Sequence, residues 1–589
     1  VGHLGDVKFF DKPGMKAFYE TRGFEPAWIK KSTFQQPNTK NIKDVLSVLE
    51  NAWTHGLNPN HYHVNQIREM LGKAKKADHY QLDLIVSDAL VRYGRDMSAM
   101  RVDPKTIGQR SRYWRKPLRG IDILDHVANH SDPVAAMKTM APKGKLYATL
   151  QKELSRLYQS PAKEKSTQKI RIKDIIRPGA NERVVLAVRK RMGFRAEEAP
   201  QGAYLYDDQL VSAVMAFQKS HGLKPDGIVG RQTAKLMNIT REEKIHQILV
   251  NLERLRWVEQ NKPNRYIMVN VPSATLWAVE NEKVVMEMPV VVGRPKRPTN
   301  IFSTKVSGIR YNPTWTVPPT IKRDDYLPKL RKNPYYLSDR GIELIKNGHS
   351  VDPGTINWKK KTWAEVNAMR MVQGSGRSNP LGKVRFLMDN PFNIYLHDTT
   401  TKSYFKRADR ALSSGCVRLE KPIELADFVL KPNKNWSKEK RDAILKKGKL
   451  REIYAAEPLP VYILYQTVWL GEREQIIYGA DIYGHDTQLV KALSDIDGIA
   501  VPVVPAVEKV KTVEIETQKE EIIKEAIEEQ ITVKEDAIEE SVKEQVKVKE
   551  TVTKEAVEEK VSEKEKAIKE KVTEAVKKKI TVTAEFKVN

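Results

Sequence analysis

The chain has 589 residues, 40% hydrophobic and 30% charged, which is enough apolar material for ordinary cores and, at roughly 150 residues per domain, for about four units. One cysteine, Cys416, excludes an intramolecular disulfide, and no apolar run approaches the roughly 18 residues that a transmembrane helix needs. The formal charge of +27 is uneven: residues 508–589 carry 18 Lys and 22 acidic side chains, net −4, which leaves +31 on the body. Such a body is drawn to polyanions, but neither zinc-finger spacing nor a Gly-aromatic RNA motif accompanies the charge, so nucleic acid is not expected as a partner.

Residues 1–178 read as a helical scaffold. Ile42, Val45, Leu46 and Leu49 have helical spacing, as do Tyr80, Leu84 and Val91, and breaks such as Gly56-Leu57-Asn58-Pro59 separate them. His61, His63, His126 and His130 lack the companions that a metal site requires, and no metal is expected.

A small module follows over 179–239. Leu210, Val214 and Phe217 form a helical stripe, and Gln218 precedes Gly222-Leu223-Lys224-Pro225-Asp226-Gly227, whose Pro-Asp-Gly is a turn signal. Residues 213–237, AVMAFQKSHGLKPDGIVGRQTAKLM, resemble the second half of a three-helix peptidoglycan-binding domain.

Thr240 and Glu243 make a capping box for a linking helix over 240–264, with Ile245, Ile248, Leu249, Leu252 and Leu255 on one face. From Arg265 the period changes to that of strands, at Tyr266–Val271, Thr275–Glu280 and Val284–Gly293, opening a mainly-β domain over 265–490. Within it, about 322–372 mixes a helix with Gly, Asn and aromatic loops and reads as an inserted cap. Trp315, Tyr335, Tyr336, Trp358 and Trp363 are the aromatic residues expected to shape it. Beyond 501 the Lys/Glu/Val-rich tail lacks a sustained heptad and reads as disordered or transiently helical.

The chemistry centres on Tyr395-Leu396-His397-Asp398 and, nineteen residues after the histidine, on Ser413-Ser414-Gly415-Cys416-Val417-Arg418. In a strand, Tyr395 and His397 share a face, and Asp398 points the other way, so no Cys-His-Asp triad is expected. Ser-Ser-Gly before the cysteine and Arg after it make a poor core strand. Backbone N–H groups of Gly415 and Cys416 suit an oxyanion, and Arg418 favours a thiolate. A histidine within reach would take the thiol proton and return it to a leaving amine. Ser413 and Ser414 are expected to organise the turn, and Arg410 and Arg418 to clamp carboxylates.

Residues 397–426, HDTTTKSYFKRADRALSSGCVRLEKPIELA, resemble the signature of the L,D-transpeptidase (YkuD-type) catalytic domain. The arrangement of modules is most similar to the large periplasmic branch, with scaffold, peptidoglycan-binding module and capping subdomain. Ser414-Gly415-Cys416 replaces the Ser-His-Gly-Cys of many members, and Arg418 stands where many have Asn; both departures resemble that branch. The resemblance implies Cys416 as acyl-enzyme nucleophile and His397 as its base, with no cofactor. It implies tetrapeptide stems containing meso-diaminopimelate as substrate, release of D-Ala, and 3→3 cross-links. It further implies the periplasm or envelope of a Gram-negative bacterium, a signal peptide already removed, acylation by carbapenems, and other wall-synthesis enzymes as partners. An L,D-carboxypeptidase and a catalytically silent wall-binding protein remain the alternatives.

Overall fold

The structure is a computed structural model that describes residues 3–4, 7–29, 39–73, 79–102, 107, 114–159, 169–195, 202–258, 261–471, 474–498, 562–571 and 573–574. Described residues up to 498 form one unit, and those from 562 belong to a second. Of the tail, 562–571 and 573–574 are helical; the rest lies outside the described residues. No helix among the described residues is long and apolar enough to cross a membrane.

The first part is helical. Strands β1 (His3–Leu4) and β2 (Val7–Lys8) pair ahead of α1 (Lys12–Thr21), α2 (Lys40–Glu50), α3 (Val64–Lys73), α4 (His79–Ser98), α5 (Gly120–Ala128), α6 (Pro133–Thr139) and α7 (Lys145–Gln159). The spacing of Ile42, Val45, Leu46 and Leu49 buries all four on one face of α2. The histidines take part in packing: His63 Nε2 meets Asp88 at 2.8 Å, and His126 Nε2 meets Thr139 Oγ1 at 2.8 Å.

Helices α8 (Arg183–Arg191), α9 (Asp208–Ser220) and α10 (Arg231–Met237) make the small module around Val185, Leu210, Val214 and Val229. Gln218 explains the motif that follows it. Its Nε2 donates to Ile228 O at 2.9 Å and to Asp226 at 3.1 Å, and its Oε1 accepts the Gly227 N–H at 2.9 Å. One buried amide thereby holds the turn, in which Gly227 has φ +68°. Ile170 and Ile176, ahead of the expected start at 179, pack into its core, and Ile176 bridges to Val229.

Helix α11 (Arg241–Trp257) carries the expected capping box at Thr240 and Glu243. It is buried on more than the expected face. Ile245, Ile248, Leu249 and Leu252 pack on Tyr147, Leu150 and Leu154 of α7, while Val250 and Trp257 enter the core of the β domain.

Strands β3 (Arg265–Asn270), β4 (Thr275–Glu280), β5 (Lys283–Gly293) and β6 (Phe302–Tyr311) open that domain. The insertion spans 315–373. It comprises β7 (Trp315–Thr316), α12 (Pro319–Ile321), α13 (Leu327–Leu330), β8 (Ile342–Lys346), β9 (His349–Ser350), α14 (Trp363–Ala368) and β10 (Arg370–Gln373). Its strands run β7-β10-β8-β9 and cover a separate core of Val317, Leu330, Leu344, Trp358 and Met371. The domain resumes with β11 (Val384–Met388), β12 (Leu396–His397), β13 (Ala411–Ser413), β14 (Val417–Leu419), α15 (Pro422–Leu430), α16 (Lys438–Lys447) and β15 (Arg451–Leu464). Then follow the hairpin β16 (Val468–Leu470) and β17 (Ile476–Tyr478), and α17 (His485–Asp497). Among the described residues, nine strands run β13-β5-β14-β12-β11-β6-β15-β3-β4, and a further β4–β5 pairing makes the sheet barrel-like.

Candidate active site

Cys416 lies in the link between β13 and β14, which flank β5 on opposite sides. The link therefore crosses the end of β5 at Gly293. The loop after Gly293 folds back so tightly that a Cβ there would lie 2.3 Å from the Arg297 carbonyl oxygen. Thr299 closes this loop from a fully buried position. Its Oγ1 accepts the Gly293 N–H at 2.8 Å and donates to the Gly415 carbonyl at 2.7 Å. Gly415 has φ +116°, a conformation that side chains disfavour. Ser413 Oγ donates to the Cys416 carbonyl at 2.6 Å and accepts the Gly415 N–H at 3.1 Å. Cys416 itself is half-buried, with its thiol 3.7 Å from the Asn393 carbonyl.

His397 is delivered by register. Strand β12 runs parallel to β14, with Leu396 opposite Val417 and His397 opposite Arg418, and the Val417 N–H donates to Tyr395 O at 3.0 Å. His397 Nδ1 lies 2.5 Å from the Asp398 carbonyl oxygen. A carbonyl only accepts, so Nδ1 carries the proton and Nε2 keeps its lone pair. The orienting group is thus the backbone carbonyl of Asp398. The Asp398 carboxylate is engaged elsewhere, with the Lys383 N–H at 2.8 Å and Lys402 at 2.7 Å.

A polar row crosses the sheet through this histidine. Glu452 pairs with Arg310, Arg310 with Arg385, Arg385 with His397, and His397 with Arg418. Arg310 is neutralised by Glu452, with Nε at 2.6 Å. Arg385 stacks 3.7 Å from the centre of the Tyr395 ring. Burial pushes the His397 imidazole down to about 3, and the Arg418 and Arg385 guanidiniums act in the same direction. Burial raises the Cys416 thiol, against the Tyr395 N–H and the two arginines. The expectation that Arg418 secures a resting thiolate is therefore corrected: desolvation of sulfur outweighs the nearby charge, and both partners rest neutral.

Residues 264–462 match the L,D-transpeptidase catalytic domain family, YkuD. Residues 13–154 match the family described as "Scaffold domain", and 190–237 that described as "Putative peptidoglycan binding domain". A curated Haemophilus influenzae protein described as "Putative L,D-transpeptidase" is 34% identical over 258 residues, 44% of this chain and 50% of the relative. This chain therefore spans about half the length of that relative. Among solved structures, an L,D-transpeptidase from Mycobacterium smegmatis shares 11% identity over 34% of this chain and 58% of that one, at a TM-score of 0.18. One from Stackebrandtia nassauensis shares 13% over 49% and 94%, at 0.17. The β domain is a YkuD-type L,D-transpeptidase catalytic domain.

The transpeptidase domain brings Tyr395, His397, Cys416 and Arg418 to one place, since Arg385 and Arg418 act electrostatically on both the thiol and the imidazole. Ser413 and Ser414 brace the turn, Ser414 Oγ accepting from Arg297 at 3.2 Å. Arg297 also pairs with Asp325 at 2.6 Å and Asp324 at 3.0 Å, which couples the cap to the cysteine turn. Arg410 has a different use from the expected carboxylate clamp. Its guanidinium donates to the carbonyls of Ser273, Ala274 and Arg407, bracing the approach to β13. Gly415 likewise differs from the expected oxyanion donor, because its N–H already serves Ser413. The cap aromatics mostly build the cap's own core. Trp358 is buried there, with Nε1 donating to Pro353 O at 2.9 Å, and Trp315, Tyr336 and Trp363 pack around that core. Tyr335 alone of the five is well exposed. Sequence reasoning missed Thr299, which no local pattern marks. It also missed Arg385, whose signal was a charge amid the apolar strand Val384-Arg385-Phe386-Leu387-Met388.

Proposed function

We propose that the protein is a cysteine-dependent L,D-transpeptidase that forms 3→3 cross-links between peptidoglycan stems in the periplasm of a Gram-negative bacterium. The observation that carries this reading is a histidine whose Nδ1 proton is held by the Asp398 carbonyl, leaving the Nε2 lone pair free on the strand beside Cys416. In the first step Cys416 sulfur attacks the carbonyl at the L-centre of the donor's diaminopimelate while its proton moves to Nε2. The Cys416 N–H faces the developing oxyanion in this reading, the Gly415 N–H being engaged by Ser413. His397 then returns the proton to the amine of D-Ala, which leaves a thioester. The amine at the D-centre of a second diaminopimelate attacks that thioester and gives its proton to His397, which passes it to the departing sulfur and so restores the thiol. Water in place of that amine makes the same site an L,D-carboxypeptidase, so exclusion of water by the cap decides the product.

The test is mass-resolved muropeptide analysis of a diaminopimelate-type disaccharide tetrapeptide incubated with the protein or its Cys416→Ala variant. New 3→3 dimers with the intact cysteine alone are expected. Tripeptide without dimer means the carboxypeptidase. Binding without turnover means a silent wall-binding protein. Meropenem supplies a second readout, with a stable adduct expected on Cys416.

A further inference from the structure

Arg385 and Arg418 stand apart from the other arginines around Cys416. Arg297 has Asp324 and Asp325, Arg310 has Glu452, and Arg410 has three backbone carbonyls. Among the described residues Arg385 and Arg418 have no hydrogen-bond acceptor, and the Nε of each is buried without a partner; the Glu452 carboxylate, bonded to Arg310, reaches Arg385 only through its field. Each instead lies against a ring: Arg385 on Tyr395 at 3.7 Å, and Arg418 near Tyr404 at 5.9 Å from the centroid. They occupy the strands on either side of β12, opposite His397 from β11 and β14. Two half-buried guanidiniums without a hydrogen-bonded counter-ion are costly in a free protein. Their forked donors match a carboxylate, and the aromatic faces hold them in position for one.

Resting on the transpeptidase reading above, we infer that Arg385 and Arg418 together bind the terminal carboxylate of the residue that leaves the donor stem. That carboxylate lies one residue beyond the bond that Cys416 attacks. Seating the scissile carbonyl on the sulfur therefore brings it among the side chains that flank the sulfur. A clamp of this kind selects a chain end over an internal peptide bond. The donor would be recognised as a stem carrying exactly one residue beyond diaminopimelate, by charge and by reach.

Two probes test it: the disaccharide tetrapeptide, and the same compound with its terminal D-Ala as the uncharged carboxamide. For the unaltered protein, KM for the carboxamide is expected to be about ten- to a hundredfold higher, the scale of hydrogen bonds to a charged group. Arg385→Gln and Arg418→Gln should each raise KM for the carboxylate form and shrink the ratio between the probes, and Arg385→Lys should restore part of it. Calorimetry of both probes on the Cys416→Ala protein reads the same discrimination without chemistry. A lack of turnover would therefore sink the proposed function and leave the clamp open to measurement. Equal affinity of Cys416→Ala protein for the two probes overturns the clamp. So does an unchanged ratio in both glutamine variants.

Discussion

Thr299 carries more of the site than its place in a loop suggests. Its hydroxyl joins the end of β5 to the cysteine turn, accepting from Gly293 N and donating to Gly415 O. Thr299→Val keeps the shape and removes both bonds, leaving a buried donor and a buried acceptor unpaired. The expected loss is about 1–3 kcal/mol of stability, read as a lower urea midpoint. Because Gly415 then loses the anchor for its positive φ, kcat should fall about tenfold or more with little change in KM, since a shifted turn impairs attack more than binding. A normal kcat in a destabilised variant would mean that the turn is held by Ser413 and Arg297 without help.

Helix α11 shows how an element that looks amphipathic becomes internal. Its apolar face meets α7, and the charged face is buried as well. Glu253 accepts from Arg101 Nε at 3.0 Å, from Arg256 at 2.5 Å and from Trp257 Nε1 at 3.0 Å, while Arg254 donates to Asp486 of α17 at 2.6 Å. Burial by itself would raise the Glu253 carboxyl, but the Arg256 and Arg101 guanidiniums override it and hold it near 2. Glu253→Ala leaves two buried guanidiniums without their shared carboxylate. The expected cost is about 3–5 kcal/mol, measured by denaturant unfolding. A variant within 1 kcal/mol of the parent, on the order of a surface substitution, would contradict the buried network.

Across the whole molecule, acid should act before the carboxylates are protonated. His55 sits where the scaffold meets α11, with Nδ1 3.0 Å from Tyr147 OH and its carbonyl accepting from Arg256 at 2.8 Å. Burial, with the charge of Arg256, pushes its imidazole down to about 3. An unfolded chain takes up that proton near pH 6.5, and the folded one only near 3. Stability therefore falls as pH drops through that window, and the buried His397 adds to the same slope. Glu253 contributes over a lower window, from the ordinary carboxylate range down to about 2. In urea unfolding followed by tryptophan fluorescence, His55→Gln should flatten the dependence of stability on pH between 6.5 and 3. An unaltered slope would place the acid sensitivity elsewhere.

Local pattern was enough for several parts of this protein. The stripe of α2, the box at Thr240, the turn at Pro225-Asp226-Gly227 and the strands β3 to β5 each depend on near neighbours, and near neighbours are what a linear chain displays. Cys416 and His397, the proposed nucleophile and base, were legible because those roles need particular residue types, and these stood out against their surroundings. The partners that give the pair its character were not legible. Asp398 orients His397 through a backbone carbonyl, which every residue possesses and which therefore leaves no mark. Thr299 reaches Gly415 across 116 positions, and Arg385 meets His397 only through the pairing of β11 with β12. The protonation states of the pair, and the burial of the charged face of α11, follow from desolvation. Only tertiary packing sets that quantity, because it depends on what surrounds a group from every side.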